Sequence, residues 1–250
     1  MLGSNRTIPT EYTALVNSTM GRYLDFNECN TTGESVCHPS DHIPALVSVA
    51  EEEDTSGAEL LEAIVLAYEI QGRGFDTGTI WNRGFDYVTW GAHAVAVAAG
   101  ELIGLSQQEL TDALGIAVMS NNGLIISRRD AVSNWKAIVQ PYATHNVIQA
   151  CQMARDGPTG PGHAFEGDRG FFEAVSGGEV LFDDLGGCSG RFRILGTSFK
   201  TFACGYFSHP SLTVLDIITE HNLEAKDLEE IDIHTFDHAI QIYASCPEKW

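Results

Sequence analysis

Residues 91–104, "GAHAVAVAAGELIG", decide the fold class. The segment is apolar on nearly every side, which is typical of a helix buried at the centre of a helical bundle. Its alanines and glycines also permit neighbouring helices to approach closely. His93, Gly100 and Glu101 interrupt the apolar run, which is therefore too short and too polar to span a bilayer. The sequence predicts a mainly α-helical protein built around this segment.

Amphipathic patterns predict further helices on both sides of the central segment. Ser56 with Glu59, and Ser106 with Glu109, have the spacing of capping boxes at helix N-termini. Pro141 lies inside one predicted helix and is expected to kink it or to mark a new start. The predicted helices cover residues 11–24, 43–52, 58–73, 133–155 and 169–176, besides the central one and the one after Ser106. Residues 71–90 are rich in glycine and are expected to form a connection.

The last quarter of the sequence has a different pattern. Residues 191–202 and 228–236 alternate between apolar and polar side chains, as strands do, and residues 210–222 have a helical pattern. We therefore expect two domains, a helical main domain over residues 1–186 and the beginning of a small α+β domain over residues 187–250.

Composition excludes several classes of function. The net charge is −20 over 250 residues, and the sequence has only four lysines. Because no basic patch is present to neutralise phosphates, nucleic acid is not an expected partner. An acid-rich, lysine-poor surface stays soluble at high salt, which predicts a salt-loving host.

The sequence also favours a cytoplasmic protein. The N-terminus has no basic region followed by an apolar block, so we expect neither a secretory signal nor a membrane anchor. The six cysteines are scattered and form no CxxC pair, which predicts reduced thiols.

One polar segment holds several reactive side chains. Residues 25–42, "DFNECNTTGESVCHPSDH", lack an apolar run and are expected to form a loop between two helices. Asp25 and His38 lie near its two ends and could converge on one site. The alternative is that Asp25 caps local backbone and His38 lies on the surface. His38 and His42 have the spacing of metal ligands on a helix, but Pro39 lies between them and no zinc pattern completes the set. We therefore expect no metal.

Two of the four lysines lie in apolar surroundings. Lys136 in "SNWKAIV" and Lys200 in "TSFKTFACGY" each need an anionic partner or a lowered pKa. Two such cations fit the binding of a polycarboxylate; alternatively, each extends to solvent or pairs with a structural acid. Cys204 and His209 follow Lys200, but their spacing alone does not establish a nucleophilic hydrolase.

Seven stretches, in order along the chain, carry a family resemblance. They are "NSTMGRYLDFNE", "HPSDHIPALVSVAEE", "GAELLEAIVLAYEIQGR", "WGAHAVAVAAGELIGLS", "NWKAIVQPYATHN", "GFFEAVSG" and "SFKTFACGYFSHPS". Together they resemble the MmgE/PrpD family. The resemblance implies a helical main domain, a smaller α+β lid, and a cleft between them for a tricarboxylate. It implies a homodimer that works without a metal or other cofactor. It also implies that the chain is truncated, without the first helices of the main domain and the rest of the lid.

The resemblance further implies an activity and its residues. The expected reaction is the dehydration of a 2-hydroxy tricarboxylate similar to 2-methylcitrate, in propionate catabolism. Decarboxylation, epimerisation, or a non-catalytic remnant are the alternatives. Expected catalytic residues are Asp25, His38, Lys136 and Lys200, with the lysines binding carboxylates and the other two in acid–base roles. Expected substrate-binding residues are Tyr87, Cys204 and His209. Many members have a histidine where this chain has Phe85 or Tyr87.

Overall fold

The fold is mainly α-helical, as the sequence predicted. The computed structural model describes residues 1–32, 35–76, 79–180, 182, 185–187, 190–244 and 246. Cys188 and Lys249, which entered the counts of cysteine and lysine, lie outside the described residues. Across the parts of the chain that the structure describes, no helix combines the length and apolar character needed to cross a lipid bilayer.

Eleven α-helices and three short strands are found within the described residues. The helices are α1 Thr10–Arg22, α2 Ile43–Glu52, α3 Gly57–Asp76, α4 Thr79–Asn82, α5 Val88–Ile103, α6 Gln107–Ser120, α7 Ile126–Arg129, α8 Trp135–Arg155, α9 His209–Leu212, α10 Val214–Glu220 and α11 Asp237–Tyr243. The strands are β1 Cys29–Thr32, β2 Ser35–Cys37 and β3 Thr197–Ser198. Short 3₁₀ turns occur between them, and the helix expected near residues 169–176 is a π-helical turn at Phe172–Ser176.

Helix α5 forms the centre of the bundle, as its sequence predicted. It packs against α2, α3, α6 and α8. Its alanines between Ala92 and Ala99 are almost completely buried, and so is Trp90 in its first turn. Because alanine adds little width, the flanking helices can pack close to the α5 backbone on several sides.

Helix α3 is longer than the sequence indicated. The connection expected from residue 71 onwards begins instead after Asp76, because α3 continues through Gly72 and Gly74. A Cβ atom at Gly74 would overlap with the indole ring of Trp90. Gly74, one of the glycines that suggested a loop, therefore serves helix packing here, since its missing side chain makes room for a large ring.

The two helix starts predicted from capping boxes were confirmed, whereas a kink at Pro141 stays a prediction. Both capping boxes are present, with Ser56 N 2.7 Å from Glu59 Oε2 and Ser106 N 2.7 Å from Glu109 Oε2. Helix α8 runs through the buried Pro141 without a new start. The packing of α8 against α1, α5 and α6 holds the helix together on both sides of this residue.

The strand predictions were largely wrong. Residues 25–42, expected to be a loop, contain β1 and β2, which pair antiparallel. Strand β3 pairs antiparallel with the other edge of β1, giving the order β2-β1-β3. Within residues 191–202 only β3 is extended in a sheet, and residues 228–236 form no strand. The alternating pattern was present, but a strand also needs a partner edge, and the described residues offer β3 only the edge of β1.

The C-terminal part of the chain joins the helical bundle through this sheet. Arg193 Nη2 donates to Asn30 Oδ1 at 2.9 Å, and its backbone N–H donates to Glu69 of α3. Helix α10 is amphipathic in sequence, yet it has no buried residue, and Ile217 is 52% exposed. The domain boundary at residue 186 stays a prediction.

A histidine lies in the apolar core without a polar partner. His93 of α5 is 1% exposed, and its ring contacts those of Trp90, Phe165 and Phe171. Among the described residues, neither ring nitrogen has a hydrogen-bond partner. Burial lowers the pKa of His93 to about 3. The side chain is therefore neutral in the folded protein over the whole physiological pH range.

We expect His93 to make the protein sensitive to acid. Between pH 6.5 and about 3, the unfolded chain binds a proton at this histidine and the folded chain does not, so stability falls as pH falls. At pH 5 the cost is ~2 kcal/mol relative to neutral pH. Urea unfolding of the variant His93→Phe should therefore show a smaller loss of unfolding free energy between pH 7 and pH 5.

The control is His163→Gln, at a histidine whose side chain is 84% exposed. This variant should retain the pH dependence of the unchanged protein. If the unfolding free energies of His93→Phe and His163→Gln fell equally between pH 7 and pH 5, the prediction would be contradicted.

Candidate functional site

One carboxylate binds three cations near the end of α1. Asp25 Oδ1 lies 3.0 Å from Arg22 Nη1 and 3.0 Å from Lys200 Nζ, and Asp25 Oδ2 lies 2.7 Å from Lys136 Nζ. Lys200 also donates to the backbone carbonyl of Asp25 at 2.8 Å. Asp25 has a left-handed backbone with φ of 51°, which turns the chain out of α1. The three cations come from α1, the start of α8 and the segment after β3.

The three cations of this cluster keep the carboxyl group of Asp25 ionised. Burial by itself would raise the pKa of Asp25, but the positive charges of Arg22, Lys136 and Lys200 outweigh burial and hold the pKa far below its ordinary value. Burial lowers the pKa of Lys136, although Asp25 opposes the shift. Asp25 is therefore an anion at any pH the protein meets, and it is a poor proton carrier.

His38 lies beside this cluster and is held in one orientation. Its Nδ1 is 2.5 Å from the backbone carbonyl of Glu28, which makes Nδ1 the protonated nitrogen and leaves the lone pair on Nε2. The edge of the His38 ring faces Tyr87, with ring centroids 5.4 Å apart. Burial, and then the charges of Arg22 and Lys200, lower the pKa of His38 well below its ordinary value. The imidazole is therefore neutral near pH 7.

A second polar network surrounds Tyr87. The Tyr87 hydroxyl donates to Asp41 Oδ2 at 3.2 Å and accepts from Arg128 Nη2 at 3.2 Å. Arg128 also forms an ion pair with the fully buried Asp86, at 2.7 Å. Burial raises the pKa of Tyr87 above its ordinary value, although Arg128 and Arg22 oppose the shift. The network fixes the phenol and the guanidinium side by side.

Both networks open onto one cavity of about 480 Å³. Its lining contains charged and polar side chains, which we call the charged wall, and a group of apolar side chains, which we call the apolar wall. Four predicted site residues contribute to the charged wall: Asp25, His38, Tyr87 and Lys136. The arrangement places a neutral imidazole, an ammonium and a phenol at the same surface. These groups can transfer protons and bind an anion.

Three predicted site residues do not line the cavity. Lys200 is buried and contacts Asp25 instead. Cys204 is half-buried, and burial raises the pKa of its thiol. His209 begins α9, with Nδ1 3.5 Å from Thr201 Oγ1. Substrate binding by Cys204 and His209 stays a prediction.

Sequence reasoning missed three residues of the charged wall. Arg22, Asp86 and Arg128 line the cavity and are all buried. Arg22 could have been found from its position, because it lies three residues before Asp25 at a helix end. Asp86 and Arg128 are 42 residues apart, and no spacing rule joins them.

The two histidines considered as metal ligands have different surroundings. His42 Nε2 lies 2.9 Å from Gln71 Oε1, and burial lowers the pKa of His42 to about 4. His38 instead contacts the Glu28 carbonyl and the charged cluster. In the described part of the chain, no group of three or more His, Cys, Asp and Glu side chains is arranged to hold a metal ion.

The fold and site define a mainly α-helical protein with an ionised cavity at the edge of its bundle. Residues 1–182 match the sequence profile of the MmgE/PrpD N-terminal domain. Because the match covers well over half of the chain, the protein belongs to the MmgE/PrpD family, as the sequence resemblance indicated.

Curated relatives are similar at low identity. A mitochondrial 2-methylcitrate dehydratase of Yarrowia lipolytica is 27% identical, over 64% of this chain and 33% of its own length. The 2-methylcitrate dehydratase of Escherichia coli is 23% identical, over 89% of this chain and 49% of its own. The cis-aconitate decarboxylase-like protein oryM of Aspergillus oryzae is 25% identical, over 69% and 37%. The chain thus spans between a third and a half of the length of these relatives.

We expect Asp25 to be essential for stability. Asparagine tolerates the left-handed backbone at this position, so Asp25→Asn removes the charge without adding backbone strain. The variant removes the anion that Lys136 and Lys200 share, whereas Arg22 keeps its contact with Asp41. We expect a loss of about 3 kcal/mol of unfolding free energy, since Arg22 and Lys200 are buried. Denaturant unfolding at pH 7 measures this loss.

A solvent-exposed ion pair provides the control. Glu53 and Arg155 form a 2.6 Å pair whose side chains are 25% and 42% exposed. Glu53→Gln should cost less than about 1 kcal/mol. If Asp25→Asn cost no more than Glu53→Gln, the carboxylate would not hold the cluster together.

Proposed function

We propose that this protein is a lyase that dehydrates a 2-hydroxy tricarboxylate similar to 2-methylcitrate. The observation that carries the proposal is the cavity wall where the neutral His38 and the ammonium of Lys136 lie beside Asp25. The names of the Yarrowia lipolytica and Escherichia coli relatives support the choice of substrate.

His38 is the proposed base. Dehydration requires removal of a proton from a carbon next to a carboxylate. With Nδ1 donating to the Glu28 carbonyl, Nε2 holds the lone pair that can accept this proton. The lowered pKa of His38 keeps the imidazole neutral and ready to act near pH 7.

Lys136 is the proposed acid. Its ammonium lies at the cavity wall, and burial lowers its pKa, which makes it a better proton donor to the leaving hydroxyl. The hydroxyl then leaves as water, and solvent restores both protonation states. Asp25 takes a positioning role instead of the expected acid–base role, because three cations keep it ionised. Lys200 acts through Asp25, which it contacts with two hydrogen bonds.

The arginines are proposed to bind substrate carboxylates. Three cations and two carboxylates line the cavity, which leaves a surplus of positive charge. The cations are Arg22, Arg128 and Lys136, and the carboxylates are Asp25 and Asp86. A multiply charged anion restores the balance.

Decarboxylation of cis-aconitate is the second candidate. The similarity to oryM favours it, because that relative matches over 69% of this chain. The same cationic wall would stabilise the carbanion that loss of CO₂ leaves behind. Parallel assays with 2-methylcitrate and cis-aconitate separate the two reactions: the first yields an unsaturated tricarboxylate, and the second yields CO₂.

Removal of the proposed base should abolish turnover. We expect His38→Gln to lower kcat for 2-methylcitrate dehydration by ~10²–10⁴-fold, the usual contribution of a positioned base. Helix content, measured by circular dichroism, should remain. The control is again His163→Gln on the surface, which should keep full activity. Turnover by His38→Gln at the unchanged rate would remove His38 from the mechanism.

The pH dependence of the reaction provides a separate test. His38 must be neutral to act as base, and its pKa lies well below the ordinary value of 6.5. Activity should therefore persist below pH 6.5 and fall only at lower pH, as the imidazole gains a proton. A profile of kcat/KM against pH measures this. An acid limb at or above pH 6.5 would contradict the assignment of His38.

A further inference from the structure

The cavity has a second wall that the proposed chemistry does not use. It is formed by Trp81 of α4, Val132, Phe207 and three isoleucines of the C-terminal part, Ile233, Ile240 and Ile242. These side chains offer no polar group to a carboxylate, apart from the indole N–H of Trp81. Five hydroxyl-bearing residues also line the cavity but supply no cation: Tyr206, Ser208, Ser211, Thr235 and Tyr243. The charged wall alone provides the cations for a tricarboxylate, so the apolar wall requires a different explanation.

The apolar wall is built by defined packing. The Phe207 ring packs edge-on against Phe236 at 5.1 Å and lies 6.4 Å from Tyr243. Ile242 is buried, whereas Ile233 is 56% and Ile240 is 47% exposed. Both of these isoleucines line the cavity. They would be covered by the apolar part of a ligand.

Exposure alone would not support a ligand, because Ile217 on α10 is also exposed and does not line the cavity. What distinguishes Ile233 and Ile240 is the space that they share with Lys136 and His38. A molecule held by its carboxylates at the charged wall would extend any further group along the apolar wall. The cavity of about 480 Å³ lies in the range of sites for drug-sized ligands, and a compact tricarboxylate leaves much of it unfilled.

We propose that the substrate is a 2-hydroxy tricarboxylate that carries an alkyl chain of several carbons, longer than methyl. This inference rests on the proposed function, which supplies the tricarboxylate end. The charged wall binds and dehydrates that end, and the apolar wall binds the chain. Each methylene placed against the wall improves affinity by up to about fourfold.

A series of alkylcitrates tests the proposal. Titration calorimetry and steady-state kinetics are carried out with citrates substituted at C2 by methyl, butyl and hexyl. We expect Kd to fall by about 10–50-fold from methyl to butyl, with kcat/KM rising in parallel. Equal or weaker binding of the longer chains, with methylcitrate still dehydrated, would overturn the inference and leave the proposed function intact. Absence of binding and turnover for the whole series would overturn both.

A pair of matched variants tests where the alkyl chain of the substrate binds. Ile240→Trp fills the apolar side of the cavity and should weaken hexylcitrate binding at least about tenfold more than methylcitrate binding. Ile217→Trp makes the same change at an exposed position outside the cavity and should leave the series unchanged. If both variants kept the preference for long alkyl groups, the alkyl group would bind elsewhere and the assignment of the apolar wall would be wrong. Circular dichroism establishes that both variants retain their helices.

Discussion

The ionised carboxylate of Asp25 is the interaction on which the site depends. It joins the end of α1 to Lys136, 111 residues further along the chain, and to Lys200, 175 residues further along. The buried cations Arg22 and Lys200 would not be stable there without a nearby anion. The same contact therefore assembles the charged wall and attaches the C-terminal part to the bundle, in parallel with the pairing of β1 and β3.

This arrangement separates positioning from proton transfer. A carboxylate with three cationic partners cannot gain a proton readily, whereas the neighbouring imidazole, shielded from water and near positive charge, cannot keep one. One local field thus drives the pKa values of Asp25 and His38 downwards together. It leaves an ionised carboxylate and a neutral imidazole side by side.

The sequence predicted the helices better than the strands, for physical reasons. Helices α3 and α6 are specified by local signals, their capping boxes, and α5 by its run of apolar residues. Strands β1 and β2 lack an apolar pattern, and their pairing depends on contacts across the chain. Part of the candidate site could be predicted from the sequence. Lysine is scarce, so Lys136 and Lys200 drew attention, and both contact Asp25. Arg22 and Arg128 escaped notice because arginine is common in this chain, with ten residues.

The long span between Asp25 and Lys200 has a consequence for folding during synthesis. Ribosomes add about 5–20 residues per second, so Lys200 follows Asp25 by roughly 10–35 s. Helices α1 to α8 can form and pack within that interval, since their contacts lie among residues already made. In that time Arg22 and Lys136 are the available counterions for the carboxylate. The charged cluster around Asp25 is therefore completed late, after the helices of the bundle have been synthesised.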